Sequence, residues 1–118
     1  EKLKETMDTD ELTGLFQELG VEPFYEGVCY TCYAVKLIRE NPDRRLMPDR
    51  WIYPAVARMY ETNMFQVIRR IRGIMNHVKA NSPELFAEIT KRWKKENVSV
   101  SVWLTALYLY SHVSTAAA

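Results

Sequence analysis

The chain has 118 residues, 47% of them hydrophobic and 26% charged, with a formal net charge of +1 and two cysteines. A chain of this length is one domain and buries roughly two-thirds of its unfolded surface, so it builds a core without staples. It has no apolar run of about 20 residues, which excludes a membrane-spanning helix, and its two cysteines are too few for a disulfide framework.

The charge is unevenly placed. Residues 1–35 carry eight acidic and two basic side chains, whereas residues 36–79 carry ten basic and four acidic ones. A basic centre in a near-neutral domain suits an anionic partner, because the local field follows the local clustering of charge. The N-terminal "EKLKETMDTDE" is charged and lacks an apolar segment, so it does not read as a signal peptide. A cytoplasmic location is the expectation, and the opening Glu1 fits a piece of a longer protein.

The punctuation predicts an all-α domain of about six helices over residues 9–113, with residues 1–8 and 114–118 as flexible ends. In "TDELTGLFQELGVEP", Thr9 or Asp10 is the expected N-cap. Leu12, Leu15, Phe16 and Leu19 follow at helical spacing, and Gly20 is the stop. Pro23 and Gly27 are read as bracketing the linker to the next helix. "GVCYTCYAVKLIRE" is apolar around most of its circumference and reads as a central buried helix, ended by Asn41-Pro42-Asp43. "PDRWIYPAVARMYE" predicts one turn from Pro48 to Tyr53 and a helix from about residue 54, where Pro54 needs no backbone donor.

The longest predicted helix lies in "TNMFQVIRRIRGIMNHVKAN". Met64, Val67, Ile71, Ile74 and Val78 form one stripe, and Thr62 or Asn63 is the cap, with Asn63 and Gln66 spaced as a capping box. Ser82 and Pro83 open a further helix with Leu85, Phe86, Ile89 and Trp93 on its apolar side. In "NVSVSVWLTALYLYSHV", valines alternate with serines at strand period. A lone strand has no ladder partner, so Ser99 or Ser101 is read as the cap of a last helix reaching about residue 113.

Residues 53–76 follow helix-turn-helix grammar: a short helix, a tight turn at Tyr60-Glu61-Thr62, and a long helix at about 63–79. Val56, Ala57 and Tyr60 are expected to pack on Val67 and Ile71. With the Val67/Ile71/Ile74 stripe inside, Phe65, Arg69, Arg72 and Asn76 fall outside, flanked by Thr62 and Gln66. Arginine reads guanine bidentately in the major groove, and Gln or Asn reads adenine. Thr62 and the first-turn amides suit a phosphate at the positive end of the helix. Arg58, with Arg44, Arg45 and Arg50 before it, suits flanking phosphates. Arg70 falls nearer the core side.

Two stretches carry a resemblance. "LTGLFQELGV", followed by Gly27 and an aromatic-rich helix, and "IYPAVARMYETNMFQVIRRIR" are similar to the C-terminal effector-domain family of the sporulation response regulator Spo0A. Tyr53, Pro54, Val56, Ala57, Tyr60, Thr62, Val67, Arg69, Ile71 and Arg72 fit the family pattern, and the likeness extends over residues 12–113. The resemblance implies a six-helix transcription-regulator domain whose fourth helix reads double-stranded DNA in the major groove. It implies base contact by Arg69 and support from Arg72. It further implies dimers on adjacent DNA boxes through the last helix, and a surface for the RNA polymerase sigma subunit. Three positions depart from the pattern: Gln66 replaces a base-reading arginine, Ile68 an acidic reader, and Phe65 a small residue. The basic frame is kept and part of the reading code is changed. The other reading of the same scaffold is a helical protein-interaction domain, since Phe65 and Ile68 make part of the outward face apolar. The chain contains no phosphoacceptor receiver domain.

"CYTC", at Cys29–Cys32, raises the question of metal or redox chemistry. Tetrahedral zinc sites place their second ligand pair three to five residues apart, whereas His77 and His112 are far separated in sequence. A redox C-x-x-C sits in a βαβ context, which the pattern lacks, so both cysteines read as small core residues. Four glycines make no phosphate loop, no Ser-His-Asp pattern occurs, and Glu84/Glu88 reads as helix-surface charge. Neither a cofactor, nor a metal, nor an enzymatic activity is expected.

Overall fold

The computed structural model describes residues 12–20, 26–93 and 98–117, with side chains as far as Ser111. All regular structure among the described residues is helical. Helix α1 (residues 12–18) turns Leu12 and Phe16 into the core and ends at Gly20, whose φ of 83° is the left-handed stop the sequence predicts. The expected caps Thr9 and Asp10, and Pro23, lie outside the described residues.

Helix α2 (Glu26–Glu40) is the central element. Val28, Cys32, Val35 and Ile38 are buried, and so are Tyr30, Ala34 and Leu37 on the neighbouring positions, as an apolar circumference requires. Gly27 marks the far end of the linker, as the sequence reading has it. It lies in the first turn, buried where α2 crosses the long helix. Thr31 is buried yet satisfied, its hydroxyl donating to the Gly27 carbonyl at 2.7 Å. Asn41 ends the helix and caps the following 3-10 turn (Pro42–Leu46), accepting from the Asp43 N–H.

The predicted turn and helix are helix α3 (Pro48–Trp51), one turn long, and helix α4 (Tyr53–Met59), with Ile52 as the break. Helix α5 (Met64–Asn81) follows. It buries Val67, Ile71, Ile74, Met75 and Val78, and Met64 packs half-exposed against the same core. Helix α6 (Pro83–Ile89) has proline at its first position as predicted, but the Ser82 side chain makes no cap bond. The Ser82 N–H instead closes α5 on the Val78 carbonyl, because one residue ends one helix and opens the next.

Helix α7 (Val100–Ala117) begins after Ser99, whose hydroxyl accepts from the Val102 N–H at 3.2 Å. It runs past the expected end near residue 113. Trp103 is fully buried and stacks on Phe86 of α6, ring centroids 5.5 Å apart. Arg39 of α2 donates to Ser111 of α7 at 2.7 Å, joining elements 72 residues apart. Among the described residues no helix is long and apolar enough to cross a membrane.

Candidate nucleic-acid interface

The turn between α4 and α5 sets the presentation of the long helix. The Thr62 N–H donates to the Ala57 carbonyl at 2.9 Å and the Glu61 N–H to the Arg58 carbonyl at 3.4 Å. This pair of bonds is a Schellman closure, which needs a left-handed residue at its centre. Glu61 takes that place, with a φ of 54°, where glycine is the usual occupant. Asn63 then caps α5, its side-chain oxygen accepting from the Gln66 N–H at 2.9 Å. The helix therefore starts abruptly, one residue after the turn.

Helical periodicity explains which α5 side chains are outside. At about 100° per residue, Val67, Ile71, Ile74 and Val78 centre the buried side, and Arg69 falls opposite its middle. Phe65, Arg72 and Asn76 lie within roughly 60° of Arg69, and all four are exposed. Gln66 is half-buried on one flank. Ile68 lies on the other flank, half-buried against the core, because its rotation brings it towards Met75. Thr62 is half-buried at the turn and Arg58 is exposed on the last turn of α4.

The cations divide into two groups. Arg70 pairs with Glu26 at 3.3 Å, across the α2–α5 crossing, as its position on the core side implies. Arg44 donates to the Leu37 carbonyl at 2.8 Å and to Glu40 at 3.2 Å, and Arg45 to the Pro42 carbonyl at 2.7 Å. Those two side chains close the end of α2 and its 3-10 turn, a local role that spacing alone does not reveal. Among the described residues no ion pair holds Arg58, Arg69 or Arg72. The outward face thus carries unpaired positive charge that suits a polyanion.

Tyr60 joins the turn to a second helix. Its ring lies on Tyr30 at 5.1 Å and meets Tyr33 edge-on at 6.1 Å, so it fastens the turn to α2. Burial, with smaller contributions from Cys29, Cys32 and the two tyrosines, raises its hydroxyl pKa. Tyr53 is buried behind the same helix pair. Its hydroxyl pKa is pushed up to about 12 by burial and by Asp49, against the pull of Arg72.

The cysteines lie away from this face. Burial moves the Cys32 thiol from 9.0 to about 11, although its contact with the Thr13 hydroxyl at 3.9 Å opposes the rise. Burial and the Glu26 carboxylate also raise Cys29. A raised pKa keeps the neutral thiol, the opposite of a reactive thiolate. His77 is tied to Asn81 on the last turn of α5. No group of three or more metal-ligating side chains occurs among the described residues.

The family described as "Sporulation initiation factor Spo0A C terminal" matches residues 12–102. The chain belongs to the Spo0A C-terminal family. It is a DNA-binding effector domain of the sporulation-regulator type. No curated protein and no solved structure shows a significant match. With α3 and α4 taken as one interrupted helix, α5 is the fourth helix of the Spo0A C-terminal domain, and α7 the sixth.

Proposed function

We propose that the domain recognises specific double-stranded DNA sites by seating α5 in the major groove. The observation that carries this is Arg69, exposed and opposite the buried stripe, on a helix whose start is fixed by the α4–α5 turn. Arg69 reads a guanine edge, Arg72 extends the contact along the groove, and Asn76 lies further along the same face. Thr62, the free amides of the first turn of α5 and Arg58 hold phosphates that set the register. Gln66 approaches from the flank. Ile68 keeps an edge towards the groove wall while its body packs inward.

We also infer dimers on paired sites, formed through α7. Val102, Tyr108 and Tyr110 of that helix remain partly exposed, which suits a contact shared with a second copy. The sigma subunit of RNA polymerase is the expected protein partner, by family likeness. A second reading, protein interaction without sequence readout, is favoured by the exposure of Phe65.

The test is selection from a random duplex library, followed by affinity measurements between about 50 and 200 mM salt. A recovered motif with steeply salt-dependent binding is expected, because phosphate neutralisation releases counterions. No motif, together with tight protein partners, would favour the second reading.

A further inference from the structure

Phe65 is the most exposed large hydrophobic side chain of the described residues, at 70%. It is the second residue of α5, directly after the helix start that Asn63 caps. Helical Cα–Cβ bonds tilt towards the N-terminus, so the ring stands over the end of α5 that enters a groove first. Its rotational position is within about 40° of Arg69 and about 20° of Arg72. The side chain is therefore an apolar surface within a cationic, DNA-directed face.

We propose that Phe65 is a specificity-determining residue that contacts the 5-methyl group of thymine; this rests on α5 being the major-groove helix. A phenyl ring offers no hydrogen bond to a phosphate or a base edge. In the major groove the apolar group displayed by the four bases is the thymine methyl. Burying the ring against it removes two apolar surfaces from water, whereas a cytosine at that place leaves the ring facing a polar edge. Arg69 lies about 6 Å further along the helix axis, and base pairs are spaced by about 3.4 Å. The thymine therefore belongs within about two base pairs of the guanine that Arg69 reads.

The experiment uses the duplex that the domain itself selects, with each thymine replaced singly by deoxyuridine. This deletes the methyl and leaves the hydrogen-bonding edge intact. One replacement is expected to weaken binding about fourfold, the effect of one buried methyl group. Phe65→Ala should bind more weakly and make no distinction between the two bases at that position. The side chain is exposed, so its removal leaves the core intact. Indifference of the parent domain to every replacement overturns the proposal, and so does unchanged methyl sensitivity in Phe65→Ala. If a motif is recovered and Arg69→Ala weakens binding while the methyl has no effect, the inference about Phe65 falls and the groove assignment stands. If no motif is recovered, both fall.

Discussion

Gly27 of α2 lies directly against Ile74 of α5. A Cβ added at Gly27 would stand 2.7 Å from Ile74 Cγ1 and 2.7 Å from the Arg70 carbonyl oxygen. The side chain has some freedom to turn away, but the backbone oxygen has not. Gly27→Ala should therefore lower the unfolding free energy by about 1–3 kcal/mol, the usual cost of overpacking, despite alanine's better helix propensity. Urea denaturation measures this. A Gly27→Ala protein as stable as its parent would show that the two helices separate without cost.

At the α4–α5 turn, the left-handed Glu61 is the reverse case. An L-residue there carries a local steric penalty that glycine does not. Glu61→Gly should stabilise the fold by about 0.5–1 kcal/mol, after the extra chain entropy of glycine is set against the relieved strain. A fall in the urea midpoint would contradict this account of the turn.

Removal of the α5 cap should act on both stability and binding. Asn63→Ala deletes the acceptor for the Gln66 N–H and is expected to cost about 1 kcal/mol. Fraying would reach Phe65 and Gln66 first. Affinity for the selected duplex should fall, while Asn63→Asp, which keeps an acceptor, should restore stability.

Arg69 and Arg70 are adjacent in sequence and equal in charge, yet their substitutions should differ. Arg69→Ala should cost roughly 1–3 kcal/mol of binding and relax the preference at one base pair. Arg70→Ala removes a partly exposed pair with Glu26, which is worth at most about 1 kcal/mol of stability, and should leave base preference unchanged. Equal losses of specificity in the two variants would refute the division of the cations.

Alkaline pH should destabilise the domain. The folded pKa of Cys32 is raised from 9.0 to about 11, and that of Tyr53 from 10.0 to about 12. Folding therefore favours the protonated forms of both. Their contribution is complete below the unfolded values and is lost as pH rises through the folded ones. The urea midpoint should fall progressively above about pH 9, and Cys32→Ala should flatten the first part of that fall.

Much of this was legible in the residues. The stripe Val67, Ile71, Ile74, Val78 located the inner side of α5, and geometry then put Arg69 outside. Asn63, Pro83, Ser99 and Gly20 marked helix ends, because capping is a local property of a few adjacent residues. The buried place of Cys32 was legible too, since it follows from the apolar circumference of α2.

What the sequence determined by itself were these local matters: helix type, helix ends, and which side of an amphipathic helix faces inward. They depend on neighbours within a few residues, and the chain writes those neighbours down. Tertiary structure alone decided which elements meet. It placed Gly27 beneath Arg70 and Ile74, turned Tyr60 onto Tyr30 and Tyr33, committed Arg70 to Glu26, and drew Ile68 half into the core. Each is a contact between separate helices, or between a helix flank and the core. Crossing geometry fixes such contacts, and no local spacing in the chain encodes it.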